Sequence, residues 1–329
     1  MKKLFKRISV ITKGLISKLS KLIYLPLLTL SKKLILPGFR GITIYDVSLF
    51  FFHGMKKSSI SLRANAISYS FIIAFVPAVL FLFTLIPYIP ITDLKVNIMM
   101  TLQEVVPQEA FVLLESTMED IITNQQTGLL SLSFLISLYF ASSGVMAIMN
   151  AFNQSSHAIE SRTAIKKQLV ALVLVFILAI NMIVSAAALA LSSVLLYFME
   201  GKGIIDDNST LFLLQVGQWV IILLTSIIAF SSIYYLAPAK KRVFPFISAG
   251  SVIASLLSVL SFKLFTIFIE NFTNYNKFYG SLGSAVMIIV WINLTALMLL
   301  IGFELNASIY KASLNDQEKK KLLEFQDEK

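Results

Sequence analysis

Residues 169–197 read LVALVLVFILAINMIVSAAALALSSVLLY, a stretch without a single charged side chain. A helix needs about 20 apolar residues to cross roughly 30 Å of hydrocarbon, so this stretch is long enough to span a membrane. Five further stretches are similar in length and hydrophobicity, and the six predicted spans are residues 64–86, 129–150, 169–197, 211–236, 247–269 and 282–309. The sequence therefore predicts an all-α fold, an integral membrane bundle of six transmembrane helices.

The overall composition also indicates a membrane protein. Of the 329 residues, 57% are hydrophobic and 14% are charged, whereas a soluble domain carries about 25% charged residues. The chain contains no cysteine, which excludes disulfides, thiolate metal sites and cysteine nucleophiles. Its two histidines, His53 and His157, stand in no metal-binding spacing, and no phosphate-binding loop or nucleophile elbow occurs. We therefore expect no enzyme activity, no metal and no other cofactor.

The positive charges indicate how the bundle is oriented. When the segments between spans are assigned alternately to two sides, one side holds 24 of the 28 Lys and Arg residues and the other holds three. Cationic segments stay in the cytoplasm, so both termini are predicted to be cytoplasmic and residues 93–128 to lie outside. Because the cations flank apolar spans, we expect them to contact anionic lipid headgroups of the bilayer and not nucleic acid.

The chain divides into three predicted regions: a basic extension (1–40), the transmembrane domain (41–309) and a charged cytoplasmic tail (310–329). Apolar residues three and four positions apart predict an amphipathic helix over 2–23. Such a helix would lie in the cytoplasmic interface, and a partner-docking helix is the alternative. In the long outer segment we predict short extracytoplasmic helices over 96–105 and 110–122, forming either a solvated acidic cap or a lid over a cavity.

Small residues form a stripe along the fifth span, at Ser248, Ser251, Ser255 and Ser258. Positions three or four apart share one face of a helix. Small side chains let helices approach closely in lipid, where the hydrophobic effect does not draw them together. We therefore expect this face to point into the bundle.

Lys263 is the most unusual residue of the chain, because it lies inside the fifth span. A lysine near the middle of a bilayer costs roughly 2.5–3.5 kcal/mol, so it needs a partner or a wet cavity. Glu270 follows almost two helical turns later, which places both residues on one face about 10 Å apart. We predict that Lys263 and Glu270 line the outer half of a central polar cavity. The alternative is that Lys263 snorkels towards the membrane surface.

A second polar face lies on the sixth span. Asn293 and Glu304 are eleven residues apart, about three turns, and Asn306 extends the same face. These residues are predicted to line the inner half of the cavity. Glu304 could equally be a structural clamp that pairs with a cation at the cytoplasmic side, and the candidates are Arg63, Lys240 and Arg242.

The last third of the chain resembles the YihY/BrkB family of bacterial inner-membrane proteins. The resemblance rests on Tyr275-Asn-Lys-Phe-Tyr-Gly-Ser-Leu-Gly283, on Trp291, and on Gly302-Phe-Glu-Leu-Asn-Ala307. With further matches it covers about 39–309 and implies a six-helix inner-membrane protein that is transporter-like. Some members of that family carry the label ribonuclease BN. The label has no support in this sequence, because a metal-dependent nuclease needs clustered His and Asp ligands.

Two functions remain in view. The first is a transporter or exporter of a small anionic, zwitterionic or amphiphilic solute, moving through the central polar cavity with Tyr275 and Tyr279 at its mouth. The second is a non-transporting envelope scaffold, in which the polar residues only hold helices together. A membrane hydrolase is a third class, but the sequence offers no nucleophile and base for it.

Overall fold

The structure, a computed structural model, describes residues 29–57, 59–88, 124–156, 160–202, 207–239, 244–271 and 281–327. Within these residues the main elements are α1 (Ile44–Lys57), α2 (Ile60–Leu85), α3 (Thr127–Ser156), α4 (Ala164–Gly201), α5 (Asp207–Leu236), α6 (Ala249–Asn271) and α7 (Ser281–Asp327). The described residues contain no strand. Six helices, α2 to α7, are long and apolar enough to cross a membrane. This confirms the predicted all-α membrane bundle.

The helices extend beyond the predicted spans, because a helix does not end where its hydropathy falls. α4 begins at Ala164, before the basic pair Lys166 and Lys167, and not at the first long apolar run. α7 shows the largest difference, since its 47 residues continue through the predicted tail to Asp327. A helix of this length measures about 70 Å and is longer than a bilayer is thick.

α1 is a helix that the sequence analysis did not predict. Thr43 caps its start: the Thr43 hydroxyl donates to Asp46 Oδ2 at 2.7 Å, and Thr43 Oγ1 accepts from Asp46 N at 3.2 Å. The bond from Asp46 N is an N-cap hydrogen bond and satisfies one backbone donor at the helix start, while the carboxylate of Asp46 holds the Thr43 hydroxyl in place. The helix predicted over 2–23 and the outer helices predicted over 96–105 and 110–122 lie outside the described residues.

The chain forms two compact units. The first unit contains the described residues up to Lys57 and those from Glu304 onwards, and the second unit is Ser58–Phe303. α7 therefore contributes residues to both units. The three-region division predicted from the sequence places its boundaries elsewhere and stays a prediction.

In the second unit, α2 and α3 pack as an antiparallel pair. Near one end Arg63 Nη1 donates to the carbonyl oxygen of Ala151 at 2.8 Å, and near the other Thr84 Oγ1 and Ser133 Oγ lie 3.1 Å apart. α2 also contains Pro77 within its helical run. A proline inside a helix removes one backbone hydrogen bond and bends the helix.

α6 and α7 approach each other through small residues. A Cβ added at Gly302 of α7 would lie 2.6 Å from both the Gly250 carbonyl oxygen and Ala254 Cβ of α6. Ser248, Ser251 and Ser255 are at most 5% exposed, which confirms that these three members of the serine stripe point inwards, and the fourth, Ser258, is half-buried.

Aromatic rings close one end of the second unit. Phe152 at the end of α3 stacks on Phe303 of α7, with ring centroids 3.8 Å apart and planes 3° from parallel. Tyr234 of α5 packs edge-on against Phe152 at 5.7 Å and donates to the Leu299 carbonyl oxygen at 2.7 Å. All three rings are fully buried. The C-terminal ends of α3 and α5 are thus held against the middle of α7, beside the positions that line the cavity described next.

Candidate functional site

An apolar cavity of about 530 Å³, partly open to its surroundings, lies in the second unit between α2, α3, α4, α5 and α7. Five of the lining residues are alanines, whose small side chains leave the space open: Ala74, Ala78, Ala141, Ala229 and Ala296. Aromatic and aliphatic side chains form the remaining wall, chiefly Phe71, Phe75, Phe230, Trp291, Ile67, Ile148, Leu178, Ile233, Ile292 and Leu299. These alanines come from four helices, α2, α3, α5 and α7, and are too small to fill the volume between them, so a cavity remains.

The cavity wall is almost entirely apolar and offers a ligand few hydrogen-bonding groups. The hydroxyl of Thr295, which lines the cavity, already donates to the Trp291 carbonyl oxygen at 3.0 Å. Water is held by several polar partners, which this wall does not provide, so the wall favours an apolar guest. The lining residues of α2 run from Ile67 to Ala78, a length of about 16 Å along the helix.

Trp291 is fixed in the wall by rings of α6. Its ring centroid lies 5.2 Å from that of Phe262 and 5.5 Å from that of Phe265, with interplanar angles of 74° and 32°. Such tilted and edge-on arrangements are the favourable ones for aromatic pairs. α6 thus supports the cavity through Trp291 without lining it.

A pair of asparagines joins α2 to α7 outside the set of residues that line the cavity. Asn293 Nδ2 donates to Asn65 Oδ1 at 2.8 Å and to Ser68 Oγ at 3.3 Å, joining α7 to α2. Ile67, next to Ser68, and Ile292, next to Asn293, belong to the cavity wall, whereas the two asparagines do not. Whichever amide donates, one amide NH₂ and one amide oxygen of the pair have no further hydrogen bond within the described residues. Asn293, one of the seven residues predicted to line a path, does not itself line this cavity.

The structure does not place Lys263 in the cavity. Lys263 is exposed on α6, and its Nζ lies 5.8 Å from the ring centroid of Trp219 on α5. This is cation–π geometry, in which the ring face attracts the ammonium group. Glu270 belongs to the last turn of α6. Four other predicted residues lie outside the described residues: Tyr275, Tyr279, Lys240 and Arg242.

Glu304 and Asn306 belong to the first unit, where they are 1% and 3% exposed. Gly54 of α1 packs against Glu304, because a Cβ added at Gly54 would collide with Glu304 Oε1. Arg63, the cation proposed as a partner of Glu304, is buried in the second unit. The predicted polar face of α7 is therefore divided between the two units. Its role in a solute path and the pairing of Glu304 stay predictions.

A hydrogen-bond network at the α3–α4 connection was missed by the sequence analysis. Arg162 Nε and Nη2 donate to the two carboxylate oxygens of Glu160 at 2.7 and 2.9 Å, and Nη2 also donates to the Ala237 carbonyl oxygen at 2.9 Å. Asn153 donates to Glu160 at 2.8 Å and accepts from Ala239 N at 3.0 Å. The hydrogen bonds from Arg162 lower the pKa of Glu160 to about 2. The signal in the sequence was the Glu-x-Arg spacing.

No group of three or more His, Asp or Glu residues suited to a metal ion occurs within the described ranges.

The chain is similar to known membrane proteins. A family model described as Virulence factor BrkB matches residues 51–325. A Bacillus subtilis (strain 168) protein named ribonuclease-like protein YfkH is 27% identical over 256 residues, 76% of this chain and 90% of that protein. A UPF0761 membrane protein of Psychromonas ingrahamii is 23% identical over 268 residues, 80% of this chain and 88% of that protein. Another, from Idiomarina loihiensis, is 37% identical over 102 residues, 31% of this chain and 36% of that protein. No solved structure matches the chain.

Proposed function

The chain belongs to the BrkB family of membrane proteins, and from this premise we propose that it is a transporter of an amphiphilic solute whose apolar part occupies the cavity. The cavity is the observation that carries the proposal. Its volume of about 530 Å³ lies within the range of 300–1,000 Å³ typical of ligand pockets. Its apolar wall suits hydrocarbon, and each methylene moved out of water into such surroundings gains about 0.8 kcal/mol.

The apolar lining of the cavity helps to choose among the anionic, zwitterionic and amphiphilic solutes that the sequence suggested. A wholly anionic or zwitterionic solute would lose its hydration against an apolar wall and gain no hydrogen bonds there, which is costly. An amphiphile avoids this cost by keeping its polar part outside the cavity. We therefore favour the amphiphilic class.

The setting of the protein is part of the proposal. We place it in the bacterial inner membrane with both termini in the cytoplasm, which the uneven distribution of Lys and Arg supports. The basic side would then contact anionic lipid headgroups. That Lys263 and Glu270 line the outer half of a central polar cavity, with Tyr275 and Tyr279 at its mouth, stays a prediction.

The scaffold function is the second candidate, and the exposure of Lys263 favours it. A charged side chain on the surface of a bundle at membrane depth suits a contact with a partner helix. The two functions can be distinguished at the cavity, because a transporter needs the cavity to stay unfilled and a scaffold does not.

Reconstitution into liposomes tests the proposal. Liposomes with the protein should move a fluorescent single-chain amphiphile between leaflets faster than liposomes without it. Ala296→Phe, which fills the cavity, should remove most of this increase. Ala186→Phe, on the exposed face of α4, should leave it unchanged. Equal rates with and without protein would remove the transport proposal and leave the scaffold.

A further inference from the structure

We propose that α1 lies along the membrane surface and binds anionic lipid there through its exposed face. Leu49 and Phe52 would enter the acyl region, and Lys32 and Lys56 would contact lipid phosphates. These four residues, together with Tyr45, form what we call the lipid face. The inference goes beyond the proposed transport and requires only that the chain is a membrane protein.

Chain connectivity places α1 at a surface of the membrane. α1 has 14 residues, a length of about 21 Å that is too short to cross roughly 30 Å of hydrocarbon. It ends at Lys57, and the apolar span of α2 begins at Ile60, so these two helix ends are at most about 11 Å apart. Ser59 between them has a left-handed backbone, with φ 43°, which interrupts the helix. α1 therefore ends where a membrane span starts and does not continue that span.

α1 packs against protein with one face and exposes the opposite one. Val47 is 2% exposed, and Gly54, almost two turns later on the same side, packs against Glu304 of α7. Positions 45, 49, 52 and 56 follow one another at spacings of four, three and four, which places them on the other side of the helix. On that side Leu49 and Phe52 are 53% and 63% exposed. Leucine and phenylalanine on the free face of an amphipathic helix are typical of helices that lie in the membrane interface.

Lysines stand at both ends of the lipid face. Lys56 is exposed at the C-terminal end. At the other end Lys32 is exposed, and its Nζ lies 4.9 Å from the ring centroid of Tyr45, which is cation–π geometry. Ile44 N also donates to the Leu34 carbonyl oxygen at 3.0 Å, which fastens the segment that carries Lys32 to the start of α1. Between the two lysines the face extends about 16 Å along the helix, so cations flank an apolar centre as phosphates flank acyl chains at a membrane surface.

Charge selects anionic lipid over other apolar partners. Residues 29–57 contain five Lys or Arg and one acidic residue, Asp46, which lies on the side of α1 that borders Ala312 of α7. A second copy that paired through the same face would bring like charges together. Residues 1–28 contain seven Lys or Arg and no acidic residue, so that segment would also be repelled. Anionic headgroups, in contrast, attract each lysine near the membrane surface. An acidic protein partner is the remaining alternative, and the position of α1 beside a span favours lipid.

Spin labelling tests the insertion. The chain has no cysteine, so Phe52→Cys carries a single nitroxide on the lipid face, and Asn315→Cys, at an exposed position of α7 in the same unit, is the matched control. The full-length protein is placed in nanodiscs of phosphatidylcholine, with and without phosphatidylglycerol. We expect oxygen, which dissolves in acyl chains, to reach the label at 52 better than a water-soluble nickel complex does, and phosphatidylglycerol to increase this preference. The nickel complex should reach the label at 315 better in both lipids.

Further variants separate the two parts of the lipid face. In the labelled protein, Lys32→Gln and Lys56→Gln should each weaken the effect of phosphatidylglycerol about 5-fold, the loss expected for one lysine beside an anionic surface. Lys166→Gln, which changes an exposed lysine of α4, should leave the effect unchanged. Leu49→Ser should reduce insertion in both lipids, whereas Leu314→Ser, which changes an exposed leucine of α7, should not. High salt should act as the lysine variants do, because it screens exposed charges.

Three results would overturn the inference. If the nickel complex reaches the label at 52 better in every nanodisc, the face points to water and α1 is not inserted. A label shielded from both reagents would show contact with protein, and its release on dilution or on deletion of residues 1–28 would identify a second copy or the N-terminal segment as the occupant. Insertion that responds neither to phosphatidylglycerol nor to the lysine variants would refute the binding of anionic lipid. None of these readouts depends on transport, so the proposed function can fail while the lipid face stands.

Discussion

Gly302 shows how the packing of two helices can depend on one missing methyl group. The Gly250 carbonyl oxygen lies 2.6 Å from the position a Cβ would take at Gly302, a distance that only a backbone shift could relieve. We expect Gly302→Ala to destabilise the protein by about 1–3 kcal/mol, as overpacking in a core does. Thermal unfolding in detergent measures the loss. At Gly217 of α5 nothing lies within 4 Å of an added Cβ, so Gly217→Ala should cause no loss, and equal effects would contradict the argument.

The Glu160 carboxylate should make stability depend on pH. Its pKa is lowered from 4.5 to about 2 by hydrogen bonds from Arg162. A lowered pKa stabilises the folded state above pH 4.5, and this contribution is lost as the pH falls from 4.5 towards 2. At pH 7, Glu160→Gln should cost about 1.5 kcal/mol, the lower end for hydrogen bonds to charged groups because Glu160 is partly exposed.

Melting temperatures of wild type and variant at a series of pH values check this prediction. The difference between them should shrink steadily below pH 4.5. The exposed carboxylate of Glu318 provides the control, since Glu318→Gln should change little at any of these pH values. A difference that stays constant with pH would show that Glu160 acts through packing and not through its charge.

At the scale of the helices, we expect the N-cap of α1 to contribute to the stability of that helix. Thr43 makes two hydrogen bonds with Asp46, and removal of an N-cap hydroxyl typically costs about 1 kcal/mol. Thr43→Ala should therefore speed hydrogen exchange of the α1 amides, while Thr43→Ser should preserve their protection. Unchanged exchange in Thr43→Ala would mean that packing alone holds α1.

Helices were predictable from the sequence where the pattern that defines them lies within one continuous segment of the chain. Six apolar runs longer than 20 residues give six spans, and the spacing of Ser248, Ser251 and Ser255 gives the buried face of α6. The ends of α4 and α7 were missed because backbone hydrogen bonding continues past the last apolar residue. Lys263 and Glu270 do share a helical face in sequence, but the neighbouring helices decide which face is exposed.

The cavity was not predictable for a related reason. Its space depends on alanines from four helices facing one another, and no single helix has an unusual pattern at those positions. Asn293 was found because a polar residue in an apolar span is conspicuous by itself. Its partners Asn65 and Ser68 lie more than 200 residues away in the chain, so only the fold reveals them.

At the scale of the whole molecule, the uneven distribution of Lys and Arg makes the topology testable. The natural chain has no cysteine, so single cysteines can be introduced without removing others. A cysteine at Asn124 should react with a membrane-impermeant maleimide in intact cells, and a cysteine at Asn315 only after permeabilisation. Both positions are exposed. The reverse labelling pattern would invert the proposed orientation.

Pro77 has a mechanical consequence for the wall of the cavity. It lies in α2 between the cavity residues Phe75 and Ala78, and its ring removes the hydrogen bond that the Ile73 carbonyl would otherwise accept. The long wall of the cavity thus contains a pivot in the turn from Ile73 to Pro77, towards its Ala78 end. The Arg63–Ala151 and Thr84–Ser133 contacts hold the two ends of the α2–α3 pair. Bending of α2 between them would widen or narrow the cavity. The volume available to a guest therefore depends on the stiffness of this single helical turn.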